Sequence, residues 1–103
     1  MGTRAASGSR PDAHTDLELH EPRRYRVLLH NDDYTTMEFV VEVLISIFRK
    51  NLEEATAIML AVHERGLATC GVYTEEMAET MVSQVHDTAR KAGFPLRCSM
   101  EEE

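Results

Sequence analysis

In "RRYRVLLH", residues 23–30, large apolar side chains recur at every second position, so that Tyr25, Val27 and Leu29 share one face. A period of two over so short a run predicts a strand. The polar turn Asn31–Tyr34 follows, and behind it the period lengthens. Met37, Val40, Val41, Leu44 and Phe48 form the stripe of an amphipathic helix over roughly 36–49. Phe39, Val43, Ile45 and Ile47 widen that stripe, so the helix is expected to be covered on most sides. Thr35 with Glu38 three residues on predicts a capping box at its start.

The same reading continues to the end of the chain. Asn51 and Glu54 predict a second cap, and Ala55, Ile58, Met59 and Val62 the stripe of a helix over about 52–64, with His63 beside it. Gly66 supplies the left-handed stop. "LATCGVY", 67–73, reads as a second strand. Thr74 caps a third helix, with Glu75 and Glu76 in the first turn, where the helix dipole favours anions. That helix runs to about Lys91 on a stripe of Ala78, Met81, Val82, Val85 and Ala89, and Gly93 ends it. "PLRCSM" predicts a last strand with Leu96, Cys98 and Met100 on one face, and residues 101–103 are expected to fray. The order is β-α-α-β-α-β. A small sheet cannot bury its apolar face alone. The expected fold is therefore α+β, a three-stranded antiparallel sheet packed on three helices. Residues 1–22 carry Gly, Ser, Pro and charge, with only Leu17 and Leu19 as large apolar residues. Too little apolar surface is available to offset the ordering entropy, which predicts a disordered extension ahead of one domain over 23–103.

Charge and composition narrow the function classes. The net charge of -7 and the lack of a Lys/Arg cluster argue against nucleic acid and anionic membrane surfaces. No apolar run is long enough to span a bilayer, and the N-terminus has no apolar signal-peptide core, so a cytoplasmic, reducing compartment is expected. Cys70 and Cys98 lack metal-ligand spacing and read as two buried thiols on strands. No nucleophile elbow, phosphate-binding loop, dinucleotide fingerprint or zinc-protease motif occurs. The reading is of a non-enzyme without cofactor or metal.

The candidate chemistry lies in "HNDDYTTMEFVVEVL", residues 30–44. Asn31, Asp32 and Asp33 offer oxygen acceptors, and a neutral His63 would add a ring nitrogen. Acceptors in such number suit an ammonium group, which has three donors and no acceptor. Met37 and Val40 stand one helical turn apart beside them, with Met59 and Val62 on the next helix. Methionine adapts to varied apolar shapes. Two readings remain open on spacing alone: a capped turn with core methionines, or a site for an amine beside an apolar slot.

The stretches "YRVLLHNDDYTTMEFVVEVL", "ATAIMLAVHERGLATCGVYTEEMAET" and "PLRCSMEEE" together resemble the bacterial ClpS family, adaptors of the Clp AAA+ protease machine in the N-end rule pathway. The resemblance covers residues 25–103, through the long patterns NDDYTxMEFV and MLxVHxxGxxxCGVYTxExAET. It implies a binding protein for destabilising N-terminal residues (N-degrons), namely Phe, Tyr, Trp or Leu carrying a free α-amino group. The bound substrate would pass to a Clp AAA+ unfoldase, whose choice of substrates the adaptor also modulates. A paralogue of narrower preference, acting mainly as a regulator of the unfoldase, is the alternative.

The family pattern implies that Asn31, Asp33 and His63 hold the α-amino group. Asp32 and Thr35 would flank the pocket mouth and touch the peptide backbone. Leu29, Met37, Val40, Met59, Val62 and Leu96 would form the hydrophobic wall, with Met37 and Val40 excluding β-branched first residues. Glu76 and Met81 match positions that contact the N-terminal domain of a ClpA-like unfoldase. Three residues depart from the pattern. Met81 stands where a lysine is common, Thr36 where proline is frequent, and His30 where many members carry an aliphatic residue near the pocket wall. A histidine there would narrow or polarise the pocket. The expected partners are that unfoldase and N-degron peptides or proteins, with no nucleic acid and no membrane, and the chain is expected to be a monomer. His63 accepts a hydrogen bond only while its ring is neutral, so acidification should weaken binding.

Overall fold

Alternation along "RYRVLLH" makes β1, Arg24–His30, the central strand of an antiparallel sheet. The computed structural model describes residues 22–103, so the expectation for the extension 1–22 lies, apart from Pro22, outside the described residues. β2, Leu67–Thr74, and β3, Arg97–Glu102, flank β1 in the order β2-β1-β3. Helices α1, Met37–Ser46, α2, Leu52–Arg65, and α3, Glu75–Ala92, complete the predicted β-α-α-β-α-β order.

The central position of β1 follows from its burial. Val27 and Leu29 are fully enclosed and share one core with Val43, Leu44, Val62, Val85 and Leu96. Leu29 lies opposite Cys98 on β3. On the other side the register shifts between Val27 and Leu28, leaving Cys70 as the extra residue of a bulge in β2. Both thiols are free and buried, and burial pushes each up to about 12. They remain protonated at neutral pH and behave as small apolar side chains, as expected for cysteines on strands.

Three expectations are corrected. Helix α1 begins at Met37 with Thr36 as its cap: Thr36 Oγ1 accepts from the Phe39 N–H at 3.1 Å. The Thr35 hydroxyl instead turns back to Asp32. Threonine at 36 therefore contributes a side-chain cap, worth about 1 kcal/mol, that proline could not. The buried face of α1 is also narrower than its composition suggested. Phe39, Val40, Val43 and Leu44 point inward, whereas Met37 and Ile45 are 42% and 39% exposed. Phe39 packs on Phe94 at a centroid distance of 4.7 Å, which fixes the helix rotation. Finally, the acidic end does not fray. Glu101 pairs with Arg26 at 3.2 Å, Glu102 with Arg23 at 3.6 Å, and the Glu103 N–H donates to the Arg24 carbonyl at 2.8 Å. Consecutive acids set against Arg26 of β1 and Arg23 just before it extend β3 beyond its apolar part.

Candidate functional site

β1 delivers the chain into the polar loop 31–36 at the end of the sheet. A backbone hydrogen bond anchors the loop's first residue, with the Asn31 N–H donating to the Gly66 carbonyl at 2.8 Å. Gly66 closes α2 in the left-handed region, at φ 91°. One glycine thus ends the second helix and ties that helix end to the loop. A Cβ at Gly66 would meet nothing within 4 Å, so the cost of a side chain there is backbone strain alone. Gly66→Ala is expected to destabilise the fold by about 1–2 kcal/mol, and Gly66→Asn by less, because asparagine tolerates this conformation. Urea melts of the two variants check the order.

Asp32 organises the rest of the loop. Its Oδ1 accepts from the backbone N–H groups of Tyr34 at 2.8 Å and Thr35 at 2.7 Å. Its Oδ2 accepts the Thr35 hydroxyl at 2.7 Å. Burial pushes the Asp32 carboxyl up, but the hydrogen bonds from the Thr35 hydroxyl and the two amides outweigh it, so its pKa lies below the ordinary value. An Asp that bonds the backbone two and three residues on is a known turn-former, a signal already present in "DDYT".

The loop, the first turn of α1 and the last turns of α2 enclose a cavity of about 220 Å³. Asn31, Asp32, Asp33 and Thr35 line it from the loop, Met37 and Val40 from α1, and Met59, Val62 and His63 from α2. That volume is below the ~300–1,000 Å³ of sites for drug-sized ligands and suits a single large side chain. No Lys or Arg lines it, so polar acceptors and two carboxylates face an apolar slot. Larger depressions lie along α3 and along α2, two of them lined by one helix and its cap, a third between α2 and β2 and a fourth where Pro22 and Arg23 meet the start of α3.

The fold therefore gathers nine of the sequence-assigned residues into one cavity from three separate elements. Leu29 and Leu96, also assigned to the wall, sit in the buried core and are not among the lining residues. His30 does not face the cavity either. Strand alternation turns it to the opposite sheet face from Leu29, where its Nε2 lies 2.6 Å from Ser99 Oγ. An Arg97 guanidinium N–H donates to its Nδ1 at 3.2 Å. Burial and the Arg97 charge together lower the His30 pKa. The expected narrowing of the pocket by His30 is thereby corrected.

Glu76 is exposed in the first turn of α3, and Met81 is partly buried against the core, consistent with its place in the inward stripe. Five residues of helix set the two about 140° apart around the axis, so they do not share one face. Among the described residues, no group of three or more His, Cys, Asp or Glu is placed to hold a metal. None of the described helices is long and apolar enough to cross a membrane.

Residues 20–99 match the family model "ATP-dependent Clp protease adaptor protein ClpS". The chain is 67% identical over 91 residues to the ATP-dependent Clp protease adapter protein ClpS of Oleidesulfovibrio alaskensis, covering 88% of each chain. It is 57% identical over 102 residues to the protein of that name from Maricaulis maris, covering 99% of this chain and 88% of the other. Among solved structures it is similar to Agrobacterium tumefaciens ClpS2 bound to L-phenylalaninamide. The TM-score is 0.78 at 38% identity, over 81% of this chain and all of that one. With four-fifths of its length matched to one family model and a relative at 67% identity, the chain belongs to the ClpS family of ATP-dependent Clp protease adaptors.

Proposed function

We propose that the cavity between the 31–36 loop and α2 binds the N-terminus of a polypeptide whose first residue is Phe, Tyr, Trp or Leu, and that the chain hands this substrate to a Clp AAA+ unfoldase. The observation that carries the reading is a one-side-chain cavity whose polar rim consists of acceptors and whose wall consists of methionine and valine. An α-ammonium has three donors, and Asn31, Asp33 and His63 supply three separate acceptors for it. Met37, Val40, Met59 and Val62 take the side chain. The solved relative holds L-phenylalaninamide, a free amine next to a large aromatic group.

The mechanism is binding without bond chemistry. Charge-assisted hydrogen bonds contribute roughly 1.5–3 kcal/mol each, and burial of one large apolar side chain about 1.5–3 kcal/mol. Neither contribution suffices alone, so ligands need both the amine and the side chain. Valine and isoleucine are apolar enough to bind, and their exclusion rests on the shape set by Met37 and Val40. Glu76 and Met81 on α3 are the proposed contacts for the N-terminal domain of the unfoldase, and the adaptor acts as a monomer in the cytoplasm.

An affinity panel of one peptide with varied first residues tests the reading. Phe, Tyr, Trp and Leu should bind at least about tenfold tighter than Ala, Val or Ile, the discrimination that burial of one side chain supports. A flat panel would overturn it. Degradation of a Phe-first reporter by the unfoldase and its peptidase, with and without this chain, tests delivery separately.

A further inference from the structure

The sheet ends on one side at β2, and the phase of its hydrogen bonds decides what that edge offers. The Asn31 N–H donates to the Gly66 carbonyl, and the same register pairs His30 with Leu67, Leu29 with Ala68 and Leu28 with Thr69. Antiparallel pairs alternate between hydrogen-bonded and non-hydrogen-bonded. Counting from Asn31–Gly66, Ala68 bonds to β1, whereas Leu67 and Thr69 turn their N–H and C=O groups outward. The bulge at Cys70 ends this run. β2 therefore presents a short open edge to which an extended chain can add.

The edge forms one wall of a groove. The chain reverses at Gly66, so α2 runs back beside β2, and Ala57, Ile58, Ala61 and Arg65 enclose about 460 Å³ with residues 67–69. Ala57 and Ala61, one turn apart, leave the space, and Ile58 and the 44% exposed Leu67 make the lining apolar. Charge fixes the class of occupant. Arg65 stands at the Gly66 end, and none of the ion pairs among the described residues includes it. A strand added antiparallel, the slightly more stable pairing, sends alternate residues to the helix side. One of them meets Ala68 and the two alanines, and the one two positions on meets Arg65. We propose that this groove binds an extended protein segment as a further strand on β2, a segment carrying a small apolar residue and, two positions later, an acidic one. The groove lies on the flank of α2 turned away from Met59 and His63, so its occupancy is independent of the N-terminal cavity.

The probe is the N-acetylated, C-amidated peptide Thr-Val-Thr-Glu-Thr, whose blocked N-terminus keeps it out of that cavity, together with its counterpart carrying lysine in place of glutamate. Amide proton–nitrogen correlation spectra of the full chain follow the titration. Shifts should concentrate at residues 65–69, and exchange of the Leu67 and Thr69 amides should slow by about tenfold or more at saturation. The glutamate peptide should bind about two- to fivefold tighter than the lysine peptide, the range one exposed ion pair supports. Arg65→Gln should remove that preference. Ala57→Leu, a change at an exposed helix position that fills the groove, should weaken both peptides. No shift at millimolar peptide, shifts at Asn31, Asp33 and His63 in place of 65–69, or equal binding of the two peptides would each overturn the proposal, and none of these results bears on recognition of a free N-terminus.

Discussion

Acetylating the N-terminus of a Phe-first peptide should lower its affinity for this protein by about a hundredfold or more. The amide that replaces the ammonium has one donor instead of three and no charge. Its proposed partners, Asn31, Asp33 and His63, offer acceptors at the cavity, and no Lys or Arg lines the site to bind the new carbonyl oxygen. Losing two charge-assisted hydrogen bonds costs about 3–6 kcal/mol, and each 1.4 kcal/mol is a factor of ten. Fluorescence anisotropy with a labelled peptide measures the loss directly. The apolar side chain is identical in the two ligands, so the difference isolates the polar half of the site. A change below about tenfold would mean that the slot recognises hydrophobic side chains irrespective of the amine.

The largest effect on stability is expected at Leu29. It is 0% exposed, lies on the central strand and faces Cys98 across the sheet. Truncation to alanine leaves a cavity that strands on both sides prevent from collapsing. Leu29→Ala should therefore destabilise the fold by about 2–5 kcal/mol. For an ordered domain of roughly eighty residues, total stability is of order 4–12 kcal/mol, so the change would consume a large share of it. A lower urea midpoint at unchanged slope is the expected signature. Met37 provides the contrast. It lines the cavity and is 42% exposed, so Met37→Ala should cost less than about 1 kcal/mol of stability while weakening the peptide. If Leu29→Ala changed affinity with stability intact, Leu29 would belong to the pocket wall after all.

The family resemblance treated Leu29 and Met37 as equivalent wall residues, because sequence patterns record that a position is apolar without recording its depth. Strand alternation could have separated Leu29 from His30, since neighbouring strand residues face opposite sides. It could not say which face the loop and helices would cover. Thr35 and Thr36 show the same limit at closer range. Two adjacent threonines before a helix are equally good caps by composition. The choice fell to Thr36 once Asp32 had drawn the Thr35 hydroxyl into the turn.

The sequence by itself determined the order of elements, the caps at Asn51 and Thr74, the glycine stops at Gly66 and Gly93, and the family. These are local properties: hydrophobic period, capping hydrogen bonds and left-handed φ each involve residues within a few positions of one another. Tertiary structure decided which apolar residues line the cavity and which fill the core. It also turned His30 away from the site, held the acidic end in β3, and closed the loop onto α2 through the Asn31–Gly66 hydrogen bond. Those outcomes depend on contacts between residues tens of positions apart, whose geometry is fixed only when sheet and helices pack around one shared core.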